Sequence, residues 1–246
     1  MSAVLPAPGE VHVWQFTLDV DADTQARLAR LLDEDERRRA DRFRFDQHRR
    51  RFIVRRGALR LILARHAGTA PQAIRYAGGA ASKPHIAAPE QACALRFSAS
   101  SSQELGAVAL ARDRELGLDV EEVRPDRDHE LITRQLAGEE AAALQRLEPT
   151  ARIAAFFDLW TCKEAYLKAK GSGLNAPLDC FAVDAGSATP RLMWSALERG
   201  GPPCWSLRRL ALRPGFASCV AVSGECDRIF CEAFAWEGGA RRNINR

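Results

Sequence analysis

The stretch FFDLWTCKEAYLKAKGSGL, residues 156–174, reads as a helix with one anomaly in it. With Ile153 ahead of it, Phe156, Phe157, Trp160, Glu164 and Leu167 recur at the three- and four-residue spacing of an amphipathic helix. The helix is expected to begin near Pro149–Thr150, with Thr150 as its cap, and to stop at Gly171. Glu164 follows Trp160 by one turn and Phe157 by two, which places a carboxylate on or beside the core-facing stripe. An unpaired carboxylate there is costly and takes up a proton unless positive charge offsets it. Lys168, one turn further on, shares the face. A plain salt bridge between the two, worth about 0.3–0.5 kcal/mol, accounts for the pair but not for its place among Phe157, Trp160 and Leu167.

A second acidic feature lies upstream in GLDVEE, residues 117–122. Asp119 and Glu121 are two apart on an expected strand, so both side chains share one face. Taken alone this spacing is a weak signal, common at exposed strand ends. Two like charges so close call for a cation, and oxygen-only ligands suit Mg²⁺. Asp119, Glu121 and Glu164 together, with Lys168 beside them for a phosphate oxygen, point to a Mg²⁺-dependent site acting on a phosphate ester or anhydride. No G-x-x-x-x-G-K-[ST] loop and no G-x-S-x-G elbow occurs. The five histidines are scattered, and none of the seven cysteines forms a C-x-x-C pair. Zinc and a disulfide framework are therefore disfavoured, and buried reduced thiols are expected.

Around these motifs the chain reads as a mixed α+β protein. VHVWQFTLDV is an expected opening strand, DADTQARLARLL a short helix, and residues 37–65 a basic helix ending near Gly68. In that basic segment Phe45, Phe52, Leu59, Ile62 and Leu63 are assigned to a buried face. CALRFSASSS reads as a strand, and ELGAVALA and ELGLDVEEV as a hairpin turned by ARDR. HELITRQL and GEEAAALQRL read as short helices; CFAVD, CWSLRRLAL and FASCVAVSG as strands of a C-terminal sheet; and GGARRNINR as a loose tail. At 246 residues with 46% hydrophobic and 28% charged residues, the chain can bury a sizeable core. Its opening, MSAVLPAPGEVHVWQF, has no basic segment followed by an apolar run, and no stretch is long and apolar enough to span a bilayer. A cytoplasmic protein with no membrane contact is expected.

The net charge of +4 is concentrated in the arginines between Arg37 and Arg65. Such a face is either simply solvated or offered to an acidic protein, a phosphate-bearing ligand or nucleic acid. Nucleic acid is disfavoured, because Phe43, Phe45 and Phe52 fit a core face better than a base-stacking one.

GLDVE followed some forty residues later by WTCKEAYLKAKGSGL resembles the signature pair of the Sfp-type 4′-phosphopantetheinyl transferases. That pair is Gly-hydrophobic-Asp-hydrophobic-Glu and Trp-x-x-Lys-Glu-Ala/Ser-x-x-Lys. SKP (residues 82–84) resembles the family's Gly-Lys-Pro, and FSASSS falls where the family often has Phe-Asn-x-Ser-His. The resemblance covers roughly Arg39 to Leu174. It implies two similar α+β halves around a pseudo-twofold axis, here divided as 1–112 and 113–246. It also implies Mg²⁺ held by Asp119, Glu121 and Glu164, and Glu164 and Lys168 as the catalytic pair. Coenzyme A as co-substrate is implied to be held by Lys168, Lys83, Ser100 and Ser101, with Arg39 a further phosphate contact. The implied reaction transfers phosphopantetheine from coenzyme A to a serine of an acidic acyl- or peptidyl-carrier domain, and the family expectation is a monomer. Two departures stand out: Ser98 replaces the usual Asn, and Ser101 the usual His. A serine hydroxyl can bond a phosphate but brings no charge. The metal site also supports a hydrolase reading, with water in place of the carrier serine.

Overall fold

The computed structural model describes residues 4–78, 83–125, 129–171, 176–198 and 204–236. The chain forms two compact units. The first holds residues 1–80, 84–113 and 228–246, and the second holds 81–83 and 114–227. Two segments depart from the contiguous halves 1–112 and 113–246. Residues 228–246 go to the first unit because the last strand pairs in parallel with the first. Lys83 goes to the second, where its ammonium bonds Glu115 Oε2 at 2.8 Å and the Leu116 carbonyl at 2.7 Å.

In the first unit, β1 (Glu10–Thr17) is followed by helices α1 (Ala22–Ala29), α2 (Glu34–Asp41) and α3 (Asp46–Ala67). A two-stranded pair follows, β2 (Arg75–Ala77) with β3 (His85–Ala88), and then β4 (Leu95–Ser102) and β5 (Leu105–Arg112). The sheet order is β11-β1-β5-β4, with β11 spanning Arg228–Ala233. Its core gathers Trp14, Phe52, Leu59, Leu63, Phe97 and Leu110.

The second unit repeats the sequence of elements. β6 (Leu116–Glu122) leads to α4 (His129–Thr133), α5 (Gly138–Gln145) and α6 (Pro149–Lys170). A two-stranded pair follows again, β7 (Phe181–Asp184) with β8 (Arg191–Ser195), and then β9 (Trp205–Arg209) and β10 (Phe216–Ser223). Its sheet runs β6-β10-β9, all antiparallel, as β1-β5-β4 does in the first unit. Phe156, Phe157, Tyr166, Leu167, Phe181 and Leu207 form its core.

The repeat extends to buried chemistry. α3 and α6 are each 22 residues long, and each ends at a glycine in the left-handed region, Gly68 at φ 63° and Gly171 at φ 71°. Arg60 stands fourteen residues beyond the first residue of α3, and Lys163 fourteen beyond the first of α6. Both are fully buried. Arg60 Nε donates to Glu36 Oε2 at 2.7 Å, and Lys163 Nζ donates to both oxygens of Glu140 at 2.8 Å. Each glutamate belongs to the first turn of the preceding short helix and also accepts that helix's leading N–H, from Asp33 or Ala137. One buried carboxylate thus serves a helix end and a buried cation in each unit, which satisfies groups that would otherwise be expensive to bury.

Several expectations are corrected. β5 and β6 do not form a hairpin; β5 lies between β1 and β4, and β6 pairs with β10. The basic segment is two helices, α2 and α3, broken at residues 42–45. Phe45 is 59% exposed at the start of α3, and Phe43 is also exposed, so only Phe52 of the three phenylalanines enters the core. α6 begins with Pro149 after Glu148, and Thr150 makes no capping bond. Pro149 suits this position because the first helical N–H has no intrahelical acceptor. CFAVD pairs only with β8, outside the sheet of β9 and β10. The tail GGARRNINR lies outside the described residues. Among the described residues no helix is long and apolar enough to cross a membrane.

Candidate active site

The candidate site is built where α6 crosses β6. A side chain on Gly117 would place its Cβ 1.9 Å from the Ala165 carbonyl oxygen and 2.4 Å from the Ala169 nitrogen. The helix backbone therefore rests directly on the strand, a contact open only to glycine on one side and small residues on the other. Period two along β6 puts Asp119 and Glu121 on the face Gly117 presents to the helix. From the helix, Glu164 and Lys168 come one turn apart, on either side of Ala165.

Asp119 is buried, at 3% exposure, and Lys168 Nζ lies 2.5 Å from its Oδ1. Glu164 is also buried, and its Oε1 has no hydrogen-bond partner. Lys168 thus pairs with the strand carboxylate, and the salt bridge to Glu164 that helical spacing allows does not form. The Glu164 carboxyl is pushed up to about 7, first by burial and then by the Asp119 charge; Lys168 acts against the shift, and Glu121 adds to it weakly. Such a shift is the signature of excess negative charge in a partly desolvated pocket.

Of the residues singled out from the sequence, Asp119, Glu121, Glu164 and Lys168 meet on this one face of the second unit. Lys83 belongs to the same unit, and its ammonium is engaged at the start of β6; its Cβ is the atom nearest to one added at Gly171, at 3.4 Å. Arg39, Ser100 and Ser101 belong to the first unit. Arg39 is exposed on α2 with its guanidinium 5.6 Å from the Phe52 ring centre. Ser100 is buried and Ser101 half-buried on β4, opposite Ala107 and Gly106 of β5.

The carboxylates do not form a ready cage. Among the described residues, no three Asp, Glu, His or Cys side chains converge closely enough to hold a metal. Lys168, drawn onto Asp119, occupies part of the space a cation would need. The donors nonetheless fit a hard divalent ion: all are carboxylate oxygens, and a buried Glu164 oxygen lacks a partner.

The first unit has the scaffold without this chemistry. By the same helix positions, Leu61 stands for Glu164 and Arg65 for Lys168. Arg65 lies over Trp14 of β1 at 4.8 Å, as Lys168 lies on Asp119 of β6. An indole and a leucine thus take the places of two carboxylates.

Two functional-looking residues escaped sequence reading, Glu140 and Lys163. Lys163 also donates to the Phe181 carbonyl at 2.7 Å and sits 3.9 Å from the Phe181 ring centre. Burial raises the Glu140 carboxyl and lowers the Lys163 ammonium from their usual values, each countered by the other. At the far end of α6, Tyr166 donates to Glu198 Oε1 at 2.6 Å, which also accepts from Trp205 Nε1 at 2.8 Å. The signal for Lys163 was its place in the WTCKEAYLK stretch, one residue from Glu164, which spacing alone would have assigned to solvent.

Comparison with known proteins finds relatives in a single family. A family model described as the 4′-phosphopantetheinyl transferase superfamily matches residues 115–219, the span from the start of β6 into β10. The 4′-phosphopantetheinyl transferase HetI of Nostoc sp. is 36% identical over 216 residues, covering 87% of this chain and 88% of the relative. A putative 4′-phosphopantetheinyl transferase of Synechocystis sp., slr0495, is 33% identical over 155 residues, 63% of each chain. A 4′-phosphopantetheinyl transferase of Bacillus subtilis is 26% identical over 164 residues, 67% of this chain and 71% of the relative. An α+β protein that sets two carboxylates of one strand against a Glu and a Lys of one long helix, this chain belongs to the 4′-phosphopantetheinyl transferase superfamily.

Proposed function

We propose that the protein transfers the 4′-phosphopantetheine group of coenzyme A to a serine hydroxyl of an apo acyl- or peptidyl-carrier domain, releasing adenosine 3′,5′-bisphosphate. The observation that carries this reading is Glu164: a buried carboxylate with an unpartnered oxygen, set beside Asp119 and one helical turn from Lys168. Asp119, Glu121 and Glu164 would hold a Mg²⁺ ion. When bound, that ion supplies positive charge against the pyrophosphate oxygens.

The chain's own residues supply the rest. The serine oxygen attacks the phosphorus that bears the pantetheine arm, and the bond from that phosphorus to the bridging oxygen of the anhydride breaks. Glu164 takes the serine proton, directly or through a water. Lys168, on a stem that reaches from α6 to β6, offers its ammonium to the phosphate under attack and neutralises charge as it builds there. Lys83, Ser100, Ser101 and Arg39 are proposed to hold the remainder of coenzyme A. Lys83 does so by giving up part of its contact with Glu115, which is half exposed.

An acidic carrier suits the arginine-rich α2–α3 surface. Arg49, Arg50 and Arg51 of that surface already pair with Asp41, Asp46 and Asp19, which reduces the charge it offers to a carrier and to nucleic acid alike. We take the protein to act as a monomer in the cytoplasm, without membrane contact.

The test is to incubate the protein with an apo carrier domain, coenzyme A and Mg²⁺ and read the carrier's intact mass. A gain of one phosphopantetheine that is lost with EDTA supports the reading. An unchanged carrier beside hydrolysed coenzyme A would favour water as the acceptor.

A further inference from the structure

Two lysines of α6 each hold a buried carboxylate of a neighbouring element, but they hold it differently. Lys163 is fully buried and donates to both oxygens of Glu140 and to the Phe181 carbonyl. Lys168 reaches Asp119 Oδ1 at 2.5 Å with its side chain 32% exposed, whereas the Asp119 side chain is 4% exposed. An ammonium on a flexible four-carbon stem at the edge of the solvent can leave such a contact for water at little cost. Asp119 has no such freedom, because a buried carboxylate left without a cation is expensive. It keeps its charge only beside a cation, and Lys168 is a cation that can be exchanged.

The surroundings favour exchange for a cation of higher charge. Glu121 follows Asp119 by two on β6 and shares its face, and Glu164 Oε1 is buried with no hydrogen-bond partner. Lys168 brings one positive charge to these three carboxylates, and with its ammonium on Asp119 that Glu164 oxygen stays unpartnered. With Lys168 in this position, no three carboxylates among the described residues converge into a cage. A hard divalent ion carries twice the charge and accepts carboxylate oxygens from several sides at once. Ion and ammonium draw on the same Asp119 carboxylate, so they compete for it.

We infer that Lys168 is a built-in competitor for the metal: its ammonium serves as the counter-ion of Asp119 until a divalent ion takes that place, and is then released towards the phosphate. This rests on the Mg²⁺ and coenzyme A reading above and adds a coupling to it. Held against Asp119, the ammonium has most of its charge neutralised by a carboxylate; displaced, it offers that charge to the anion. Coenzyme A without the ion meets a neutralised lysine beside excess negative charge. The ion without coenzyme A must displace an ammonium that has no other anion to go to. Each ligand therefore favours the other, and neither binds well alone. Removing Lys168 should have two opposite effects, a loss of turnover and a gain in metal affinity.

Calorimetric titration of the full chain with Mg²⁺, in the absence of coenzyme A, tests this. Lys168→Met is expected to bind Mg²⁺ more tightly than wild type by on the order of tenfold to a hundredfold, the range of a charged hydrogen bond. Lys170→Met removes the same charge from the same helix, where Lys170 faces Glu198 at 3.3 Å, and should leave the Mg²⁺ affinity within about twofold of wild type. Lys168→Met leaves Asp119 without its cation, so a readout on wild type guards against a folding defect. The ε-methylene NMR signal of Lys168, assigned by its loss in Lys168→Arg, should shift as Mg²⁺ is added, while that of Lys163 stays in place. Equal Mg²⁺ affinity in wild type and Lys168→Met, an equal gain in Lys170→Met, or a Lys168 signal unmoved by bound Mg²⁺ overturns this inference alone. Mg²⁺ binding to neither wild type nor Lys168→Met overturns the metal reading with it.

Discussion

The Lys168 ammonium lies 2.5 Å from Asp119 Oδ1, joining residues 49 apart in sequence across the contact of α6 with β6. This pair holds the helix and strand halves of the site together, and it sets Lys168 near any anion brought to the carboxylates. Lys168→Ala is expected to lower carrier modification by about 10²–10³-fold, the usual loss on removing one electrostatic stabiliser of a transition state. The folded state should persist at reduced stability, because Asp119 is left buried without its cation although the Lys168 side chain itself is a third exposed. Intact-mass time courses and thermal melts on the same preparation check both parts.

Close approach at Gly117 should be intolerant of a single methyl group. Gly117→Ala would drive Cβ to 1.9 Å from a backbone oxygen that cannot swing aside. The expected cost is about 4 kcal/mol or more, with loss of activity as α6 lifts from β6. Gly138→Ala, where nothing lies within 4 Å, is the control and should change stability by under about 0.5 kcal/mol. Denaturant melts of the two variants decide it.

Stability should depend on pH through Glu164. In the metal-free chain its carboxyl is pushed up to about 7 from 4.5. Between about pH 4.5 and about 7 the folded chain holds a proton that the unfolded chain has released. Its contribution is therefore fully present below about 4.5, is lost as pH rises to about 7, and is flat above that. Relative to Glu164→Gln, the wild type should lose on the order of 3 kcal/mol across this window. Mg²⁺ binds the deprotonated form, so it should raise the wild-type melting temperature at pH 8 and much less at pH 5. An equal Mg²⁺ effect at both pH values, or in Glu164→Gln, would count against the site.

Lys163 and Glu140 should matter for stability more than their distance from the reacting atoms suggests. Lys163→Met leaves Glu140 buried without its cation and should cost about 3–5 kcal/mol. Replacing both partners by apolar residues of similar volume should recover most of that loss. Urea melts of the single and double variants would show it. The matching experiment on Arg60 should behave alike, since Glu36 stands to it as Glu140 does to Lys163.

The helical period around Glu164 and the strand period around Asp119 were legible because each is local. Both elements formed as expected, and the face shared by Asp119, Glu121, Glu164 and Lys168 followed from them. Pairing between distant segments was not legible. Nothing in ELGAVALA and ELGLDVEEV shows that one strand joins β1 and β4 while the other joins β10; the short charged turn between them reads as a hairpin. The internal repeat was hidden as well, because its shared feature pairs an arginine in one unit with a lysine in the other. Buried cations look like surface residues to any pattern that equates charge with solvent. Arg60 and Lys163 enter the core only because a glutamate of a preceding helix, more than twenty residues away, goes with them.

The most direct measurement compares the rate of carrier modification by wild type, Asp119→Asn and Glu164→Gln, read as carrier intact mass with coenzyme A and Mg²⁺. The account predicts that wild type converts apo to holo carrier and that each variant falls by at least about 10²-fold with its fold intact. Near wild-type turnover by a folded Glu164→Gln protein would contradict it.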